Sequence, residues 1–142
     1  MATRREAREW AVQLLFQTDL NPPKDMRPVL AHFWEQVKSD KGSREYAERI
    51  VRGVMSRRAE IDKIIDGTLV HWKMKRLAVI DRNVIRMSVY EMLNCEDVPP
   101  VVSINEAVDI AKYFGTNDSG RFVNGVLDRI RGGLDRPNRT AE

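Results

Sequence analysis

Apolar residues recur every three or four positions through six or seven successive segments of this 142-residue chain, and no stretch of useful length alternates apolar with polar. A period near 3.6 buries one face of a helix, whereas a half-buried strand needs a period of two, so the pattern predicts an all-α fold. The chain is long enough to bury one ordinary core without staples. Its 42% hydrophobic and 32% charged residues, mixed in sign, argue for a folded, well-solvated unit rather than a disordered one. No internal repeat is present.

Local punctuation divides the helices. Thr3-x-x-Glu6 reads as a capping box opening a helix over about 4–19, with Ala7, Trp10, Ala11, Leu14 and Thr18 on one side and "NPP" as its stop. Asp25 is expected to cap a second helix bearing Val29, Leu30, Phe33, Trp34 and Val37. Ser43 is expected to cap a third segment that bends around 56–59, with Gly53 as an interior weak point. "GTLVHWKMKRL" breaks the period and bridges two halves. Asp81 is then expected to cap "DRNVIRMSVYEMLN", which is apolar on more than one side and therefore central. Ser103-x-x-Glu106 reads as a second capping box, and Gly115 as a C-terminal stop. The last helix carries Phe122, Val123, Val126, Leu127 and Ile130 on its buried stripe, with Gly125 suggesting a close helix approach. These elements fall into two helical groups, about 3–69 and 74–132, followed by a basic tail over 133–142.

Composition narrows the chemistry. Twenty-four basic against 21 acidic side chains leave a formal charge of only +3, which permits a nucleic-acid partner without requiring one. Cys95 is the single cysteine, so no internal disulfide or cysteine metal site can form. With no signal-peptide core and no membrane-length apolar run at hand, the expected location is the cytoplasm. His32 and His71 are isolated, and no phosphate loop or ligand cluster is evident. Neither a cofactor nor a metal is expected, and the chain reads as no enzyme.

Two segments stand out. On the first helix Arg4, Arg5 and Arg8 share a flank that continues towards Phe16, a combination suited to unpaired nucleic acid and equally to a solvated charged flank. Before the last helix, Asp118 or Ser119 can cap while Arg121 and the helix N-terminus attract an anion, with Phe114 and Phe122 nearby.

"RREAREWAVQLLFQ", "IDRNVIRMSVYEML", "VSINEAVDIAKYFG" and "NDSGRFVNGVLD" resemble, in order, signature segments of the NusB family of bacterial transcription antitermination factors. The resemblance implies a NusB-like fold of two packed three-helix-bundle-like subdomains. It also implies binding of boxA RNA from ribosomal RNA leaders together with the ribosomal protein NusE, within the RNA polymerase antitermination complex. On that basis the RNA surface comprises Arg4, Arg5, Arg8, Phe16, Phe114, Asp118, Ser119, Arg121 and Phe122, and Asp81 holds the NusE partner. Phe16 stands where relatives often carry tyrosine. Lys73, Lys75 and Arg76 stand where some relatives are acidic, which alters charge complementarity towards a basic partner. Two alternatives remain. A similar domain fronts certain ribosomal RNA cytosine methyltransferases, whose methyl-donor domain is not expected in this chain, and some relatives form homodimers that would mask the arginines.

Overall fold

In the computed structural model, which describes residues 3–71 and 73–134, every regular element is helical. The order is α1 (Arg4–Gln17), α2 (Arg27–Gln36), α3 (Lys41–Ser56), α4 (Arg58–Thr68), a 3₁₀ turn (Met74–Arg76), α5 (Val79–Asn94), α6 (Pro100–Phe114) and α7 (Asn117–Gly133). Most of the expected basic tail, along with Trp72, lies outside the described residues.

Helix α5 is the axis. All twelve residues from Asp81 to Met92 are buried, which is what a helix apolar on several sides demands, and α1, α3, α4, α6 and α7 all pack on it. Helix α1 also packs closely on α3, and α6 on α7. The buried side chains of α1 to α7 form one continuous cluster. Helix α2 joins α1 through an aromatic edge, the Trp34 ring meeting Trp10 T-shaped at 5.5 Å, while Phe33 on α2 itself packs edge-on against Trp34 at 4.9 Å.

The first capping box forms as read, with Thr3 accepting from Glu6 N–H and the Glu6 carboxylate accepting from Thr3 N–H. Besides α7, four other starts differ from the expectation. Helix α2 begins after Met26, with Asp25 accepting from the Arg27 N–H beside it. The oxygen capping α3 belongs to Asp40 and accepts from Ser43 N–H. Helix α5 starts two residues before Asp81, so this carboxylate sits in the first turn rather than at the cap. Helix α6 starts at Pro100, whose fixed φ and missing N–H suit a first-turn position. That earlier start carries Ser103 into the helix body, where its buried hydroxyl donates to Glu91 at 2.8 Å.

Close approach matters most at Gly53 and Gly115. A Cβ on Gly53 would overlap the edge of the Tyr90 ring, so α3 and α5 touch there. We expect Gly53→Ala to destabilise the fold by about 1–3 kcal/mol despite its better helix propensity, because the 8%-exposed ring has little room to retreat. The shift of the urea midpoint checks this; an unchanged or raised midpoint would contradict the contact. Gly115 makes room for Ser119, whose Oγ would lie 2.7 Å from a Cβ. Gly125 meets only Arg129, at 4.0 Å, so the expected close approach at that residue does not occur.

Candidate nucleic-acid interface

Side chains of α1 approach those of α6 near the start of α1 and again near its end. Near the start, Arg5 donates to Glu106 and to Asp109 at 3.0 Å. Near the end, Phe16 and Phe114 line one groove of about 710 Å³ together with Gln13, Gln17, Ala78 and Ile80. Helix α6 thus meets Arg5 through Glu106 and Asp109 and leads, past Gly115, into the corner before α7.

That surface is less positive than the arginine spacing suggests. Arg4 pairs with Asp97 at 2.8 Å while its guanidinium lies 4.3 Å from the Tyr46 ring centroid. Arg4 and Arg5 keep part of their side chains in solvent, but each already faces a carboxylate. Hydrogen bonding from Arg5, against the opposing effect of burial, holds the Glu106 carboxyl below its usual range. A similar bond from Arg4 does the same for Asp97.

Arg8 corrects the expectation outright. It is only 3% exposed, and its Nε donates to both oxygens of the fully buried Glu91 at 3.0 and 2.8 Å, while Nη1 reaches Glu106 at 3.1 Å. Tyr46 and Ser103 also donate to Glu91, and Ser103 Oγ lies 2.8 Å from Ser88 Oγ. Burial alone would lower the Arg8 pKa, but the Glu91 charge reverses this and raises it. The arginine is therefore a strut fixing α1 onto α5 and α6, not a group free to meet a ligand. A sequence signal for this existed: Ala11, Val12 and Leu15 lie three, four and seven residues after Arg8, which places it on the buried stripe.

The corner differs in detail from the expectation. Thr116, rather than Asp118 or Ser119, caps α7 by accepting from Ser119 N–H at 3.2 Å. This leaves Asp118 and Arg121 exposed and paired with each other across one turn. Phe122 and Phe114 are half-buried against the core, whereas Phe16 is 50% exposed. Tyr113, absent from the expected set, is 74% exposed with its ring centroid 5.1 Å from that of Phe114.

Asp81 follows Ile80, the last groove residue of the α5 start, in the first turn of that helix. Burial pushes its carboxyl above the usual range, with the Ser119 hydroxyl opposing more weakly. Its Oδ1 is buried and accepts no hydrogen bond among the described residues. An acceptor of this kind is costly unless a donor arrives.

The family model described as "NusB family" matches residues 5–131. The chain belongs to the NusB family. It is 44% identical to the transcription antitermination protein NusB of Desulforapulum autotrophicum over 133 residues, covering 92% of each chain. Against its counterpart from Bdellovibrio bacteriovorus it is 45% identical, covering 92% of this chain and 96% of that one. The fold superimposes on T. maritima NusB with a TM-score of 0.85 at 38% identity, over 95% and 94% of the two chains. A second solved structure contains antitermination factors NusB and NusE in complex with dsRNA; the similarity there is a TM-score of 0.83 at 29% identity, over 92% and 97%. These NusB relatives and structures span nearly the whole chain, and α1 from Arg5 onward, α6 and the corner before α7 all lie within the family match.

Proposed function

We propose that this NusB-family chain is a non-catalytic, cytoplasmic antitermination factor that binds a boxA-type RNA strand together with NusE, within the complex on transcribing RNA polymerase. The observation that carries the reading is the groove between the end of α1 and the start of α5, where the half-exposed Phe16 and, from the end of α6, Phe114 line one opening. Unpaired bases stack on exposed rings whatever their identity, so Phe16 and Tyr113 supply stacking faces and Phe114 the groove wall. At the corner, Arg121 exchanges its exposed Asp118 partner for a backbone phosphate, assisted by the α7 N-terminus. Ser119 and Phe122 shape that corner. Arg4 and Arg5 contribute their exposed guanidinium edges, and Arg8 acts by holding α1 in place. Asp81, in the first turn of α5, contributes to the contact with NusE.

Fluorescence anisotropy with boxA RNA tests this. Phe16→Ala is expected to weaken binding by about 1–3 kcal/mol, the usual value of one base–aromatic stack. Arg121→Ala is expected to flatten the dependence of log affinity on log salt by about 0.7, the loss of one single-strand phosphate contact. Unchanged affinity and slope in both variants would end the proposal.

A further inference from the structure

On the other side of the 73–80 segment lies a second opening, of about 530 Å³, that the proposed interface does not use. Its floor is a buried charge lattice. Asp19 accepts from Arg82, from Asn83 at 3.1 Å and from Arg86 at 2.5 Å, and Arg86 spans onward to Asp62 at 2.8 and 3.0 Å. Asp66 accepts from the Met74 N–H at 3.0 Å. All three carboxylates are thus engaged by groups of the protein. Five cationic side chains line the opening, so two positive charges are left over. They sit at the rim: Lys73 and Lys75 are exposed and form no ion pair among the described residues. Arg58 donates to the Asp19 carbonyl at 3.0 Å but reaches carboxylates only at 3.7 and 4.0 Å.

Two lysines without ion-pair partners among the described residues, beside a loosely paired Arg58 and above a floor whose charges are otherwise balanced, make a receptor for an oxyanion. Lys75 precedes the groove residue Ala78 by three positions, so their Cα atoms are at most about 11 Å apart. We infer that this pocket holds a backbone phosphate of the same RNA strand, just beyond the portion gripped at Phe16. This inference rests on the RNA reading above and extends its track across the 3₁₀ turn.

The test uses the full chain, the Lys73→Ala/Lys75→Ala double variant, a boxA-length RNA and a boxA RNA extended by several nucleotides at each end. Both lysines are exposed, and matching urea midpoints confirm an intact fold. The expected result is that wild-type protein gains affinity from the extension and the double variant loses roughly tenfold of it, about the worth of one charge-assisted contact. Its salt slope on the long RNA flattens by about 0.7, while binding of the short RNA is unchanged. Wild-type slope and affinity on the long RNA would overturn the inference. So would inorganic phosphate perturbing the Lys73 and Lys75 amides in NMR spectra while the extension adds nothing, which marks a free-anion site. A defect seen only in NusE binding without RNA would also overturn it, in favour of a protein contact. Should Phe16→Ala and Arg121→Ala leave both RNAs bound as in wild type while the double variant flattens the slope, the groove proposal fails and the phosphate pocket stands.

Discussion

Arg8→Ala is expected to cost about 3–5 kcal/mol of stability, because it leaves the Glu91 carboxylate charged in a site with no solvent. Tyr46 and Ser103 still donate to Glu91, but neither carries the compensating charge. For a domain of this size the loss corresponds to a fall in melting temperature of roughly 10 °C or more. Arg8→Lys restores little, since an ammonium cannot present the planar fork that meets Glu91 and Glu106 together. Urea and thermal unfolding followed by circular dichroism decide the matter. Were Arg8 a solvated ligand contact, the change would stay within about 0.5 kcal/mol, and that result would remove the strut from the account. The same measurement guards the RNA experiments, because weakened binding by an Arg8 variant would otherwise be read as a lost phosphate contact.

Asp19→Ala has an expected effect of similar size, about 3–5 kcal/mol, for the opposite sign of charge. Arg86 would keep Asp62, but Arg82 would be left with only the carbonyls of Met74 and Lys75, at 3.4 and 3.5 Å. The wild-type carboxylate also makes stability depend on pH. Burial pushes Asp19 upwards, yet hydrogen bonds from Arg82, Arg86 and Asn83 prevail and hold it at about 2 instead of the ordinary 3.8. A carboxyl depressed in the folded state stabilises fully above its unfolded value, and that contribution is lost as the pH falls from about 3.8 through about 2. The interval is worth about 2 kcal/mol. The stability gap between wild type and Asp19→Asn should therefore narrow by about that amount from pH 5 to pH 2, measured by urea unfolding across the range. A gap that stays constant would show that Asp19 titrates normally.

The helical periods marked out the α-helices, the bend at Arg57 and the central burial of α5, because each depends on residues within a few turns of one another. The helix starts were less legible. Ser103-x-x-Glu106 has the same pattern as Thr3-x-x-Glu6, yet only the first forms a cap, since Pro100 had already begun α6 and freed Ser103 and Glu106 for distant partners. At the α7 corner, Thr116 stood two residues ahead of the expected cap, and four capable side chains in succession are indistinguishable without backbone angles.

Local sequence was thus sufficient for the all-helical class, the apolar faces and the family resemblance, all of which are written in short-range spacing. It could put Arg8 on a buried stripe but could not supply Glu91, 83 residues away, as the charge that makes such burial tolerable. The folded chain alone decided which arginines became struts and which stayed at the surface, and it alone joined Phe16 to Phe114 and gathered Lys73, Lys75 and Arg58 around one opening. The reason is physical: electrostatic pairing and groove formation depend on distances set by helix packing, and helical periodicity contains no information about them.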